Sequence, residues 1–268
     1  MPAERTGLRL VSRLLLPLEP QAVFRGLTEP AHVERWLATE ADLDAELRPG
    51  GRFRFWGSDV PFTPSRQRAD QRVVGADPPG RLRIRWTWDH VPTEVGFTLQ
   101  PRGTGTLLEA VHVIEGLLPH AGPDTPLVVA RFWNVALADL RRYLIRGTAV
   151  LRPNLTQRST RPRLEALLDA SLGQVRAALG AETRAWCPAE LVRALQRGLA
   201  SPEGAASDSV AFDLEDLGPT TRLALQLPEP CSTRRRLGDL LAWADALVRL
   251  ESFVALPGPA RRAANPGS

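Results

Sequence analysis

Along the first 145 positions the apolar residues recur at two periods, and the order of those periods outlines a fold. Leu10 to Leu16 is a short apolar run closed by Pro17, as in a buried strand. Pro20 opens a helix with Ala22, Val23, Gly26 and Leu27 at helical spacing, and Thr28-Glu29-Pro30 breaks it before a second short helix, Ala31 to Leu37. Period two then takes over. Leu43, Ala45 and Leu47 alternate with acids, and after the Pro49-Gly50-Gly51 turn Phe53 and Phe55 alternate with Arg52, Arg54 and Trp56. A weaker strand is expected over Arg66 to Ala76. Leu82, Ile84, Trp86 and Trp88 alternate with Arg81, Arg83, Arg85 and Thr87. Val95, Phe97 and Leu99, then Thr106, Leu108, Ala110, His112 and Ile114, do the same on either side of Gly103. Successive strand side chains leave opposite faces, so the pattern predicts a half-buried antiparallel meander.

Beyond a loop at 116–126, Val129, Phe132, Trp133, Ala136, Leu137, Leu140 and Leu144 form the stripe of a long helix from Leu127 to Ile145, ended by Gly147. One strand, two short helices, six strands and a long helix predict an α+β fold for residues 1–150: a curved antiparallel sheet with the long helix across its concave face.

The second half repeats parts of this pattern. Leu15-Leu16 and Val23 to Leu27 match Leu167-Leu168 and Val175 to Leu179 at one offset of 152 (175 − 23), and Trp36 pairs with Trp186. Val95, Phe97, Leu99, Gly103, Thr106 and Leu108 match Val210, Phe212, Leu214, Gly218, Thr221 and Leu223 at an offset of 115 (210 − 95). Trp133, Leu137, Leu140 and Tyr143 match Trp243, Leu247, Leu250 and Phe253 at 110 (243 − 133). Residues 161–256 are therefore read as a truncated, degenerate second copy that keeps the first and last two strands and the long helix. A helix over Pro188 to Ala200 stands where four strands are missing. Residues 151–160 are assigned as a linker and 257–268 as a disordered tail.

Composition narrows the function. All 34 basic residues are arginine, against 30 acids, and the two signs alternate along the chain rather than forming a basic stripe. The net charge of +4 thus gives no footprint for nucleic acid. No run of eighteen apolar residues exists, and Met1 to Leu10 does not read as a signal peptide, so no membrane association and a cytoplasmic location are expected. Cys187 and Cys231 form no CxxC pair, which argues against zinc and a disulfide framework; one bridge or two free thiols stay open.

Five segments in order resemble a known family. Pro20 to Trp36 resembles its "pxxVFxALTxPxxLxxW" segment, Leu47 to Phe53 its "xxPGGxF" hairpin, and Asp77 to Trp86 its "xDPPxRLxxxW" strand. Gly105 to His112 resembles "GTxLxLxH" and Trp133 to Tyr143 the closing "WxxxLxxLxxYL" helix. The first half, residues 1–150, is thereby similar to the START-like (SRPBCC, helix-grip) superfamily, in its activator-of-heat-shock-protein-90-ATPase branch, which implies the helix-grip fold, a curved antiparallel sheet wrapped on a long C-terminal helix. One departure is Leu37, where the family often has a second aromatic. The resemblance implies a ligand pocket between sheet and helix, and usually no chemistry.

The residues agree with a binding role. GxSxG, HExxH and GxxxxGK[ST] are absent, and the four histidines are scattered, so neither a catalytic constellation nor a metal or cofactor site is expected. The expected pocket is lined by Phe53, Phe55, Ile84, Trp86, Trp88, Phe97, Leu108, Ala110, His112, Trp133 and Leu137, with His112 as polar anchor and Tyr143 as a second candidate. Leu82 and Val95 share that inward face. The leading reading is a non-catalytic protein that binds a small hydrophobic ligand. A chaperone-cofactor or scaffold role through the surface is the alternative, and a lyase, cyclase or hydrolase on the same fold comes third. The outward arginine face with Trp56, and the unpaired edge of the second half, are candidate surfaces for a second copy or a protein partner.

Overall fold

The computed structural model describes residues 7–157, 161–200, 210–227 and 233–256. Cys231 and the expected tail lie outside the described residues, as do residues 158–160 of the expected linker. The chain divides into two compact units, Met1–Thr156 and Gln157–Ser268. Residues 150–155, at the end of the expected first domain and the start of the expected linker, are packed into the first unit. Val150, Leu151 and Leu155 are buried there, and Leu155 N–H donates to Ser58 O at 2.6 Å.

The first unit is α+β. β1 (Leu8–Leu16) is followed by α1 (Pro20–Thr28) and α2 (Pro30–Trp36), then β2 (Glu40–Leu43), β3 (Phe53–Trp56), β4 (Arg72–Asp77), β5 (Arg81–Trp88), β6 (Val91–Arg102) and β7 (Gly105–Ile114). α3 (Thr125–Arg146) closes it. The main sheet is antiparallel in the order β1-β7-β6-β5-β4. α3 packs against β1, starts with Pro126 in its first turn and ends at Gly147, whose φ of +79° is the left-handed conformation that glycine adopts without strain. Gly26 of α1 is required by packing, since a Cβ there would meet Leu144 Cδ2 of α3 at 2.8 Å.

Two expected strands come out differently. The stretch 44–47 is not strand: Asp44 instead accepts from Arg52 N–H at 2.7 Å and from the Arg52 guanidinium, which shapes the turn into β3. Residues 66–68 form a 3₁₀ turn, so β4 starts only at Arg72. β2 and β3 pair apart from the main sheet. Backbone bonds join them to it, Phe53 N–H to Gln71 O at 3.3 Å and Val73 N–H to Gly51 O at 3.0 Å, and the Gln71 side-chain amide extends the link, donating to Phe55 O at 3.0 Å and accepting from Phe55 N–H at 3.4 Å. Trp56 is buried rather than outward and exposed, with the Arg66 guanidinium 5.9 Å from its ring centre.

The second unit is smaller. β8 (Arg163–Leu168) leads to α4 (Leu172–Leu179), α5 (Thr183–Trp186) and α6 (Ala189–Ala200); β9 (Ala211–Asp216), β10 (Thr221–Gln226) and α7 (Thr233–Val254) follow. The sheet order is β8-β10-β9. Its register matches part of the first unit. Thr221 faces Leu168 and Leu225 faces Leu164, as Thr106 faces Leu16 and Ala110 faces Ser12. Thr221 also faces Asp216, as Thr106 faces Pro101. Both hairpins turn on a glycine in the left-handed region, Gly103 at φ +59° and Gly218 at +85°. Two side-chain bonds recur as well. Trp36 Nε1–H donates to Gly26 O and Trp186 Nε1–H to Ala178 O, both at 2.9 Å. Thr106 Oγ1 donates to Leu18 O at 2.6 Å and Thr221 Oγ1 to Ala170 O at 2.8 Å.

Candidate functional site

The period-two pattern of β5, β6 and β7 puts every second residue under α3, and there the chain places rings. All eleven residues expected to line a pocket are buried. The aromatic ones contact one another. Phe53 meets Phe55 (ring centres 6.2 Å apart), Phe55 meets Trp86 (4.8 Å), and Trp86 meets Trp88 (5.0 Å). From α3, Phe132 touches Trp88 at 5.0 Å and Trp133 touches Phe97 at 5.6 Å. Most contacts are edge-to-face, the arrangement ring quadrupoles favour, at about 0.5–1.5 kcal/mol each beyond area burial. A groove of about 580 Å³ opens elsewhere, lined by Thr39, Glu40, Trp56 to Ser58 and Pro64 to Gln67, and shares no residue with the eleven.

His112 sits at the centre of this cluster, 1 % exposed. It stacks on Trp86 with an interplanar angle of 7° and meets Trp88 edge-on at 5.0 Å. Its Nδ1 accepts from Trp133 Nε1–H at 3.0 Å. That bond fixes the tautomer, because a neutral imidazole that accepts at Nδ1 carries its proton on Nε2. Burial pushes the pKa down to about 3, so the ring is neutral at physiological pH. The Nε2–H has no hydrogen-bond partner among the described residues, and neither does Trp88 Nε1–H.

Loops cap the Trp88 end. Phe62 lies 6.1 Å from Trp88 and 6.1 Å from His120, ring centre to ring centre. The β5–β6 hairpin turns on Asp89 and His90, at φ +50° and +67°, a conformation that strains side-chain-bearing residues. Asp89 is buried and holds His120 twice, through the His120 backbone N–H at 2.5 Å and through His120 Nδ1. Phe62 and His120 were not among the expected site residues: they lie in proline- and glycine-rich loops without periodicity. Phe132 was legible in the α3 stripe but was not placed in the pocket. Tyr143, expected as an inward anchor, instead shares a 2.6 Å hydrogen bond with His32 Nδ1, and Glu29 Oε2 lies 3.2 Å from His32 Nε2.

A second buried polar group serves structure. Asp139 of α3 accepts from the backbone N–H of Val150 (2.7 Å), Leu151 (3.0 Å) and Arg152 (3.4 Å). Burial drives its pKa up to about 7 against the pull of those donors and of Arg152. Arg152, at φ +66°, pairs with Asp59 and donates to Glu34 O and Ala38 O. Among the described residues no group of histidine, cysteine or acidic side chains could hold a metal ion, and no helix is long and apolar enough to cross a membrane.

Residues 17–144 match the family described as activator of Hsp90 ATPase homolog 1-like protein. None of the curated proteins compared with the chain matches it. Among solved structures, CalU16 from Micromonospora echinospora is 27 % identical with a TM-score of 0.42, covering 53 % of this chain and 76 % of its own. An AHSA1-like protein from Rhizobium etli is 23 % identical with a TM-score of 0.40, covering 52 % and 82 %. DynU16, a protein of the dynemicin biosynthetic locus, is 16 % identical with a TM-score of 0.43, covering 92 % and 98 %. Residues 17–144, just under half of the chain, thus carry the sequence pattern of the activator of Hsp90 ATPase homolog 1-like family.

Proposed function

We propose that the first unit binds a small hydrophobic ligand between the main sheet and α3, without covalent chemistry. The observation that carries this reading is His112. A histidine kept neutral at the centre of a ring cluster, with one N–H unused, suits recognition better than stability, since an unpaired buried donor costs about 1–3 kcal/mol. Ligand sites combine such apolar walls with a few placed polar atoms. The rings lie in mutual contact, and the Phe62–His120 cap at the Trp88 end is the portion built from loops. Native mass spectrometry of the full chain tests the reading. A co-purifying small molecule, released on unfolding and retained less by His112→Leu, is expected. A protein that carries nothing and takes up no apolar compound contradicts it.

The second unit is, on this reading, a truncated copy of the first. Its support is the shared strand register, the two paired glycine turns and the two recurring side-chain bonds. Its role is structural: the three-stranded sheet lacks the strands that would surround a ligand.

A further inference from the structure

Among the rings under α3, His112 is one of two that carry a buried N–H with no partner. Trp88, 0 % exposed on β5, carries the other, Nε1–H, and its ring touches His112 edge-on at 5.0 Å. An indole nitrogen can only donate, and His112 Nε2 is also a donor because Nδ1 is engaged by Trp133. Neither group can satisfy the other. A third tryptophan shows the contrast: Trp86 Nε1–H, in the same cluster, donates to Thr63 Oγ1 at 3.3 Å. Burial without a partner is therefore particular to Trp88 and His112 among the rings of this interior. The ring neighbours of Trp88 and His112 are Trp86, Phe132, Trp133 and Phe62, and His120, held by Asp89, meets Phe62 on its far side.

We propose that Trp88 Nε1–H and His112 Nε2–H form a paired donor site for an oxygen acceptor on a neutral, flat, aromatic ligand, a ketone or quinone carbonyl being the class that fits. The inference rests on the ligand-binding reading above and deepens it. The walls are ring faces and edges, which match a planar aromatic body by stacking. Two uncharged donors suit a neutral carbonyl better than a carboxylate, whose negative charge would be stranded among apolar rings without a cation. Phe62, half-buried and belonging to a loop, covers the Trp88 end, so a ligand that displaces it reaches the Trp88 donor first.

A matched pair of probes tests this on the full chain: 6-propionyl-2-(dimethylamino)naphthalene, and the same dye with a propyl group, which lacks the carbonyl oxygen. Fluorescence titration of the wild type should favour the carbonyl probe. Trp88→Phe keeps a ring but removes the N–H, and should cut that preference by about two- to tenfold, the worth of one hydrogen bond. Trp86→Phe removes an N–H that already has a partner; it should weaken both probes alike and leave the preference in place. In the wild type, the Trp88 indole ¹⁵N–¹H resonance should move with the carbonyl probe and not with its propyl counterpart, which keeps the test decisive if Trp88→Phe fails to fold. If both probes bind equally, or if Trp88→Phe leaves the preference intact, the donor-pair inference is wrong while ligand binding stands. If neither probe binds, both fall together.

Discussion

The two units share a strand register and differ in what they put under the long helix. In the first, Ala110 and His112 of β7 face rings from β5 and α3. At the same offset of 115 the second unit has Leu225 and Leu227, both buried. Trp133 matches Trp243, so the large indole is kept while the histidine it bonds is replaced by leucine. The interior of the second unit is largely aliphatic: Leu164, Ala166, Leu168, Leu223 and Leu225 are all buried. One backbone pattern can thus hold either a cluster with unused donors or an ordinary core. The missing strands add to the contrast. Among the described residues β9 pairs with β10 alone, and it carries exposed Asp213, Glu215 and Asp216, charges of the kind that discourage further strand pairing.

Core truncation should separate the units most strongly. Trp133→Ala and Trp243→Ala each remove a buried indole, and each should destabilise its own unit by about 3–5 kcal/mol. Trp133→Phe leaves most of the bulk but takes away the donor to His112 Nδ1, for a further loss of about 1–3 kcal/mol relative to a simple volume change. Urea unfolding with circular dichroism checks this. Equal effects of Trp133→Phe and Trp243→Phe would show that the His112 bond contributes nothing.

The buried titratable groups make a second contrast, because the position matching Asp139 is Arg249 in α7. Asp139→Asn should cost the first unit about 1–3 kcal/mol, since an amide serves the N–H groups of residues 150–152 less well than a carboxylate. It should also alter the pH profile. Between an ordinary pKa of 3.8 and its raised value near 7, the folded chain keeps a proton on Asp139 that the unfolded chain has lost. That contribution is complete below pH 3.8 and disappears as the pH rises to 7. His112 runs the other way: with its pKa lowered from 6.5 to about 3, its contribution is complete above pH 6.5 and is lost as the pH falls. Each group gives a slope of about 1.4 kcal/mol per pH unit within its window, so the two oppose each other between pH 3.8 and 6.5. His112→Leu, which installs the residue of the second unit, should leave stability falling as pH rises through that range; Asp139→Asn should leave it rising. Identical profiles for the two variants would refute the assignment.

Much of the fold was legible because period and punctuation coincide. β5, β6 and β7 alternate without interruption, and the α3 stripe ends at a glycine, so sheet, helix and the inward set of residues followed directly. The failures share a cause. Residues 44–47 alternate like a strand, but Asp44 finds better partners in Arg52, a local competition that periodicity does not register. Phe62, Asp89 and His120 meet only through loop geometry. Tyr143 sits next to the α3 stripe, and only the position of α2 turns it to His32.

The smallest expected effect gives the most discriminating test of the repeat. Thr106 and Thr221 occupy the same register position, each donating its hydroxyl to a carbonyl just past the end of the paired first strand, Leu18 and Ala170. Both side chains are buried, so Thr→Val removes one hydrogen bond at nearly constant shape and orphans one carbonyl. Each substitution should cost about 0.5–1.5 kcal/mol. If the second unit is a copy whose strand-to-helix corner is built in the same way, Thr106→Val and Thr221→Val should cost their own units similar amounts, and the double variant their sum, as for independent sites. A full loss at Thr106 with none at Thr221 would mean that the second corner is held by other contacts, and that the shared register comes from hairpin geometry rather than duplication.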